Sequence, residues 1–163
     1  MRFWPIVTLA VIFLLIRGEN HLAVSNPIKM QYDDIYAVVK GAVEDKTWWQ
    51  ARNIYEVREK LGKYYAEPIL SAISKRAWNF ISQPTDWYVQ TFVSAIYITS
   101  ISTEKVTLKI DMVNKDLISG QIQEGTGYFS LHKTSSGWRI ISADYRWEKE
   151  SNTLGIKSPI SYN

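Results

Sequence analysis

The side chains that could do chemistry are concentrated late in the chain, in residues 127–150, which read GYFSLHKTSSGWRIISADYRWEKE. This stretch contains the acid Asp144, the phenols Tyr128 and Tyr145, and His132. If its two runs pair as a hairpin, facing residues lie about 5 Å apart, and Tyr128 would lie beside Asp144. A carboxyl group among phenols and indoles can have a raised pKa and act as a general base. One interpretation is therefore a catalytic pocket wall.

The other interpretation of Asp144 is structural. On an exposed strand it would lie on the same face as Arg146 and form an ion pair worth at most about 1 kcal/mol. His132 comes directly before a polar turn, which favours a solvated strand end. We therefore expect this hairpin to serve structure and binding, and we expect no catalytic residue, although the enzyme alternative stays open.

Metal and cofactor chemistry has little support in the sequence. There is no cysteine, which excludes disulfides, thiolate nucleophiles, cysteine-ligated zinc and iron–sulfur clusters. The adjacent acidic pairs at 33–34 and 44–45 lack the spacing of metal ligands. The chain has neither a glycine-rich phosphate loop nor a nucleophile-elbow motif. We predict no metal and no cofactor.

Composition narrows the class of partner. The 163 residues fit one domain plus an appendage, and 46% hydrophobic with 21% charged residues is ordinary globular composition. The net charge is only +3, with basic and acidic residues interspersed, so nucleic-acid binding is not expected. Seven Trp and ten Tyr exceed what a core of this size needs, which favours a groove or an interface. We expect a protein partner or self-association.

An apolar segment starts at Phe3 and ends at Ile16, and it is flanked by Arg2 and Arg17. Its length of about 14 residues fits a signal-peptide core better than a spanning helix of about 20. No clean small-x-small cleavage site follows, which favours a short, uncleaved anchor. We expect residues 1–18 to be an apolar anchor helix or a signal peptide, followed by a connector over residues 19–26. The remaining chain would lie at the cell membrane outside the cytoplasm, or be secreted if the segment is cleaved.

Three apolar stripes with spacings of 3 and 4 residues predict three helices from Pro27 onward. Their apolar positions are Ile28, Tyr32, Ile35, Tyr36 and Val39, then Trp48, Ala51, Ile54, Val57 and Leu61, then Ile69, Ala72, Ile73, Ala77, Phe80 and Ile81. Trp48 and Trp49 are adjacent and point about 100° apart on a helix, so both cannot lie in one core stripe. We therefore consider Trp48 and Trp49 candidate partner contacts.

From Trp87 onward the apolar period changes to 2, which predicts four strands separated by polar turns. In the second strand we expect the alternating residues Val106, Leu108, Ile110 and Met112 to face the helices. In the third, Gly125 and Gly127 suggest a bulge or bend. In the fourth we expect one face to carry Trp138, Ile140, Ser142 and Asp144, and the other Arg139, Ile141, Ala143 and Tyr145.

Helices followed by strands predict an α+β domain over residues 27–148, with about three helices on a curved antiparallel sheet of four strands and a polar tail over 149–163. This order, with a hairpin made of TGYFSLHKT, a Ser/Gly turn and GWRIISADYRW, resembles the cone-shaped NTF2-like superfamily. It is most similar to the extracytoplasmic bacterial branch, in which a short membrane segment precedes one such domain. The resemblance implies the fold, but the fold hosts isomerases, dehydratases and scaffolds alike.

Two functions remain open. The first is a non-catalytic extracytoplasmic binding or assembly module, tethered to the membrane or exported across it. The alternative is a small-molecule-binding protein or an isomerase or dehydratase type of enzyme. Its cone pocket would be lined by Trp78, Trp87, Tyr128, Trp138 and Asp144. Burial of Asp144 distinguishes the two, because a solvated carboxylate on the outside of the cone could not serve as the base of a pocket.

Overall fold

The computed structural model describes residues 27–84 and 88–148, so the expectations for residues 3–16, for Trp87 and for the tail at 149–163 lie outside the described residues. The predicted α+β architecture is confirmed. The helices are α1 Pro27–Glu44, a 3₁₀ helix Thr47–Gln50, α2 Ile54–Leu61 and α3 Ile69–Ile81, and the strands are β1 Val89–Ile101, β2 Lys105–Asp116, β3 Ile122–Thr134 and β4 Gly137–Trp147. Within the described ranges no helix is both long enough and apolar enough to span a membrane.

The four strands form one antiparallel sheet in the order β1-β2-β3-β4. The predicted inner face of β2 is confirmed, because Val106, Leu108, Ile110 and Met112 are at most 2% exposed. The helices cover this face and contribute their own apolar stripes to the core. The buried residues that complete it are Ile35, Val39, Val57, Leu61, Tyr65, Ala77, Phe129, Leu131, Trp138 and Ile140. The side of the sheet that faces the helices is thus filled with packed side chains.

The predicted second helix is interrupted. Residues 47–50 form the 3₁₀ helix, and α2 starts only at Ile54. Asn53 caps α2, because its side chain accepts a hydrogen bond from the backbone N–H of Glu56 at 2.9 Å. Glu56 in turn accepts from the backbone N–H of Arg52 at 3.0 Å, so the two side chains satisfy two backbone donors at the start of the helix, in a variant of the capping box. The continuous helix was therefore a wrong prediction, since the side chain of Asn53 stabilises a new helix start.

The predicted faces of β4 are wrong beyond Ile141. Leu131 pairs with Ile140 and Ser130 pairs with Ser142, so Ile141 is an extra residue without a partner in β3. Such a bulge moves every later side chain to the opposite face. Trp138 and Ile140 consequently face the helices, whereas Asp144 is exposed.

The glycines of β3 do not mark a bulge, because the register between β2 and β3 runs through both without a shift. Gly125 instead leaves room for an indole: a Cβ there would lie 2.3 Å from the ring of Trp147. A Cβ on Gly127 would lie 2.7 Å from the ring of Phe129. These glycines allow close approach of aromatic rings to the strand.

The free edge of β1 is closed in part by side chains from the end of α1. Glu44 Oε1 accepts a hydrogen bond from the backbone N–H of Val93 at 2.9 Å. Lys46 Nζ donates to the carbonyl oxygen of Val89 at 2.9 Å. Both backbone groups point away from β2, so these contacts occupy positions at which another strand could pair.

The other edge of the sheet is covered by the backbone that follows α2. The N–H of Ala66 donates to the carbonyl oxygen of Ile140 at 2.9 Å, and the N–H of Ile140 donates to the carbonyl oxygen of Tyr64 at 2.8 Å. This short parallel bridge attaches the helical layer to β4. Both edges of the sheet are thus tied to the helices at one point or more, which leaves the face opposite the helices as its accessible broad surface.

Candidate functional site

The sheet face turned away from the helices, the outer face, carries a row of four residues from four strands. Tyr97 pairs with Lys109, Lys109 with Tyr128, and Tyr128 with Asp144. The predicted pairing of Tyr128 with Asp144 is thus confirmed. The two rings remain accessible, with Tyr97 50% and Tyr128 41% exposed.

The next row along the strands adds two charges. Asp111 of β2 pairs with Thr126 of β3, and Thr126 pairs with Arg146 of β4. Within β2, Lys109 Nζ lies 3.0 Å from Asp111 Oδ1. The hydrogen bond to Asp111 and the attraction of its charge raise the pKa of Lys109, which therefore stays protonated.

A cation lies over each aromatic ring of the first row. Lys109 Nζ lies 5.5 Å from the ring centroid of Tyr97, and the guanidinium of Arg146 lies 4.9 Å from that of Tyr128. Arg146 Nε also donates to Asp144 Oδ2 at 3.1 Å, which is the ion pair expected from the sequence. The outer face thus has an ordered arrangement of two phenols, two cations and two anions.

The residues proposed to line a cone pocket do not meet in one place. Trp138 is 2% exposed and faces the helices. Trp78 is partly buried and packs against the core from α3. Tyr128 and Asp144 lie on the outer face instead, and Trp87 lies outside the described residues.

The environment of Asp144 does not suit a general base. Its side chain is 60% exposed and is paired with the more exposed Arg146. An open, solvent-exposed sheet face does not enclose a small substrate as a catalytic pocket does. His132 is also exposed, and it pairs with Lys105 and Arg139 in the neighbouring strands. The isomerase or dehydratase alternative thus loses the base that it required.

Tyr145, the remaining phenol of the hairpin, has a structural environment. Its hydroxyl lies 3.4 Å from the hydroxyl of Tyr65, and its ring meets Phe129 edge to face at 5.5 Å. Burial, followed by the proximity of Tyr145, raises the pKa of Tyr65 well above its usual value. Both phenols remain neutral over the physiological range and join the helical layer to β4.

A second feature is the aromatic groove, an open depression of about 270 Å³ beside the start of β1. Its lining consists of Val43, Asp45, Lys46, Trp48, Trp49, Phe80, Val89 and Thr91. The rings of Trp48 and Trp49 lie 5.5 Å apart, and Phe80 meets Trp49 edge to face at 5.4 Å. Neither tryptophan is fully buried. The candidate contact residues Trp48 and Trp49 thus lie together in one groove wall.

The polar rim of the aromatic groove is held by hydrogen bonds within the domain. Asp45 accepts hydrogen bonds from the backbone N–H of Thr47 at 2.8 Å and from the hydroxyl of Tyr64 at 2.8 Å. Burial raises the pKa of Asp45, but these hydrogen bonds outweigh it and hold the pKa below its usual value. Burial and the bond to Asp45 raise the pKa of Tyr64 to about 12. Burial lowers the pKa of Lys46, which packs its ammonium 5.7 Å from the ring of Trp49.

Sequence reasoning located part of the outer face. The alternation of β2 predicted Lys109 and Asp111 on its solvent-facing side, and the sequence also predicted the ion pair of Asp144 with Arg146. It missed that these two pairs lie on strands flanking β3. The register that brings them together depends on the bulge in β4, which leaves no clear signal in the residue types.

A scan against protein-family models and a search of curated proteins find no match to this chain. Solved structures are similar in fold. An NTF2-like protein with a cystatin-like fold from Novosphingobium aromaticivorans is 11% identical, with a TM-score of 0.53 over 83% of this chain and 94% of that one. An NTF2-like superfamily protein from Salmonella enterica is 11% identical, with a TM-score of 0.53 over 80% of this chain and 99% of that one.

The association domain of C. elegans CaMKII is similar to the same degree, with 12% identity and a TM-score of 0.53 over 72% of this chain and 96% of that one. Identities this low establish the fold and leave the function to the residues of this chain. Three helices on a four-stranded antiparallel sheet, together with these structural neighbours, show that the chain has the NTF2-like fold.

Proposed function

We propose that this protein is a non-catalytic assembly module of the extracytoplasmic space that associates with a second copy of itself through the outer face of its sheet. Residues 3–16 anchor it in the membrane, or direct its export if they are cleaved. The observation that carries the proposal is the placement of charge on the outer face, where β2 presents Lys109 and Asp111 and β4 presents Asp144 and Arg146.

The cation and the anion exchange strands between the two rows of the outer face. In the row of Tyr128, β2 carries the cation Lys109 and β4 carries the anion Asp144. In the next row, β2 carries the anion Asp111 and β4 carries the cation Arg146. The strand β3 lies between them as a central line.

This pattern is complementary to itself. If a second copy is turned over about a two-fold axis along β3, its β4 lies over β2 of the first copy. Lys109 then faces Asp144 of the second copy, and Asp111 faces Arg146 of the second copy. A two-fold interface requires such self-complementarity, because the same patch contributes both sides.

The remaining residues of the outer face are compatible with this arrangement. The exposed phenols Tyr97 and Tyr128 are of a residue type enriched at the centres of interfaces. The ion pairs already formed within each chain are solvent-exposed and therefore weak, so little stability is lost when the charges exchange partners between copies.

Charge reversal in the full-length chain, solubilised in a mild detergent, tests the proposal. Lys109→Glu would place a negative charge opposite Asp144 of the second copy, and Asp144→Lys would place a positive charge opposite its Lys109. Each single variant should therefore weaken dimerisation at least about tenfold. The double variant should restore it, because the two charges are exchanged. Lys75→Glu, at an exposed position of α3, is the matched control. Sedimentation equilibrium gives the dissociation constants. Unchanged association in both single variants, or no recovery in the double variant, would contradict the proposal.

A separate experiment tests whether the chain is anchored in the membrane or exported. Mass spectrometry of the mature N-terminus, from membrane and soluble fractions of the producing cell, measures whether residues 1–18 are retained. Retention in the membrane fraction is expected for an anchor, and a soluble extracytoplasmic chain without these residues is expected for a signal peptide. An intact chain in the soluble cytoplasmic fraction would rule out both.

A further inference from the structure

The aromatic groove contains one residue of β1 whose backbone points away from the sheet. Glu44 Oε1 accepts a hydrogen bond from the N–H of Val93, and this N–H therefore points away from β2. Lys46 Nζ donates to the carbonyl oxygen of Val89, which points the same way. The register from Val89 to Val93 has no bulge, and backbone direction alternates with each residue of an antiparallel strand. The N–H and the C=O of Thr91 thus also point away from β2.

The backbone groups of Thr91 are open to a ligand. Within residues 27–84 and 88–148, neither its N–H nor its carbonyl oxygen has a hydrogen-bond partner, whereas its hydroxyl donates to Asn114 Oδ1 at 2.7 Å. Thr91 also lines the aromatic groove. A donor and an acceptor on one residue of an edge strand match the C=O and the N–H of one residue in an extended peptide.

Contacts on both sides of Thr91 limit how far a peptide could pair with β1. On one side, the side chain of Lys46 already binds the carbonyl oxygen of Val89. On the other, the side chain of Glu44 already binds the N–H of Val93. A long added strand needs both of these backbone groups. The groove therefore suits a ligand that pairs with Thr91 alone.

Lys46 determines the charge that such a ligand needs. Its ammonium group can donate three hydrogen bonds, and it gives one of them to Val89. In the described part of the chain, no carboxylate oxygen lies within 4.0 Å of this ammonium. The neighbouring acid Asp45 already accepts hydrogen bonds from Thr47 and Tyr64 through its two oxygens. A carboxylate on the ligand would give Lys46 the anionic partner that these residues do not provide.

The spacing of these groups fits the end of a polypeptide. Val89 is two residues from Thr91, which is about 7 Å along the strand. In an antiparallel ligand, one further residue follows the residue opposite Thr91 before the chain reaches the ammonium of Lys46. A terminal carboxylate on that further residue lies where Lys46 can bind it, whereas a chain that continued would have to displace the lysine side chain.

The aromatic wall of the groove determines the side chain of the ligand. Val89 and Thr91 both line the groove, and directly opposed residues of neighbouring strands project from the same face. The ligand residue opposite Thr91 would therefore direct its side chain toward the rings of Trp49 and Phe80. We propose that the aromatic groove binds the carboxyl terminus of a partner polypeptide, with a large apolar penultimate residue paired to Thr91 and the terminal carboxylate bound by Lys46. This site is separate from the outer face and does not depend on association through it.

The peptide Gly-Ser-Gly-Ser-Phe-Gly, with a fluorescent label at its amino terminus, tests the proposal on the full-length chain in a mild detergent. Conversion of its terminal carboxylate to an amide should weaken binding at least about tenfold, and so should Lys46→Met. The two changes together should weaken binding little more than either alone, because they remove the same interaction. Lys75→Met, at an exposed site on α3, is the matched control and should bind both peptides as the wild type does. Fluorescence anisotropy gives the dissociation constants.

A second measurement tests the backbone pairing with Thr91. A methyl group on the nitrogen of the penultimate peptide residue removes the donor to the Thr91 carbonyl and should weaken binding about tenfold, whereas the same change three residues earlier should have no effect. No binding of the unmodified peptide at about 1 mM, or additive effects of amidation and Lys46→Met, would overturn the proposal. Sensitivity to amidation without sensitivity to N-methylation would also overturn it and would assign the groove to a small carboxylic acid. Lys109→Glu should bind the peptide as the wild type does, which separates this test from that of the outer face.

Discussion

The ammonium of Lys46 donates a hydrogen bond to the backbone carbonyl of Val89 at 2.9 Å, across 43 residues of sequence. It does so from a partly buried position, and Glu44 accepts a hydrogen bond from the N–H of Val93, four residues further along the same strand. An edge strand otherwise presents unpaired backbone groups to other chains. The end of α1 therefore both positions the aromatic groove and protects β1 from unwanted pairing.

Replacing Lys46 with Met should weaken this edge. The methionine keeps most of the aliphatic volume but removes the donor to Val89, so the free energy of unfolding should fall by about 1 kcal/mol. The exposed edge should also increase aggregation on storage. Urea denaturation measures the first effect and light scattering the second. Lys75→Met, at an exposed site on α3, is the control, and equal behaviour of the two variants would contradict this role of Lys46.

Asp45 should make stability depend on pH in the acid range. Its pKa is lowered in the folded protein by hydrogen bonds from Thr47 and Tyr64, against the opposing effect of burial. The folded state therefore binds this proton less readily than the unfolded state, in which the carboxyl has a pKa of about 3.9. The stabilisation is present above that pH and is lost as the pH falls through the folded-state pKa. Asp45→Asn should lower stability at pH 7 and flatten the decline below about pH 4 in urea titrations. If the stability of Asp45→Asn declined at acid pH as steeply as that of the wild type, Asp45 would not be the cause of the pH dependence.

Gly127 should tolerate no side chain. A Cβ there would lie 2.7 Å from Phe129 and 2.9 Å from Ile110, and both of these residues are at most 2% exposed and cannot move aside. Gly127→Ala should therefore destabilise the domain by about 1–3 kcal/mol. Gly125→Ala is the matched comparison, because its Cβ meets Trp147, which is 37% exposed and free to swing outward. In thermal unfolding, the midpoint temperature of Gly127→Ala should be lower than that of Gly125→Ala. The reverse order would contradict the packing argument.

The residue pattern predicted the structure correctly where a single physical rule determined it. The alternation of Val106 to Met112 determined which face of β2 is buried, because the helices cover only one side. The break before α2 has a signal in the sequence as well, since Asn53 and Glu56 have the spacing of a helix cap, but the apolar period continues across it and predicts one helix.

The arrangement of the outer face could not be read in the same way. It depends on which residue of one strand faces which residue of the next, and a single bulged residue changes that relationship for the remainder of the strand. Ile141 is such a residue, and its type does not distinguish it from the core residue Ile140 beside it. The position of Asp144 on the outer face thus follows from backbone pairing and not from local composition.

Deletion of Ile141 should therefore leave the faces of β4 unchanged. Without the bulged residue, Ser142 follows Ile140 directly and can still pair with Ser130, so Asp144 stays on the outer face. Deletion of Ser130 is the comparison, because the register between β2 and β3 has no extra residue to absorb it and the alternation on one side of the gap must reverse. We expect the Ile141 deletion to cost about 1–2 kcal/mol, and the Ser130 deletion to cost at least about 4 kcal/mol or to abolish cooperative unfolding, because core side chains of β3 would turn outward. Urea denaturation followed by tryptophan fluorescence measures both, and similar stabilities of the two variants would show that Ile141 is not a dispensable bulge.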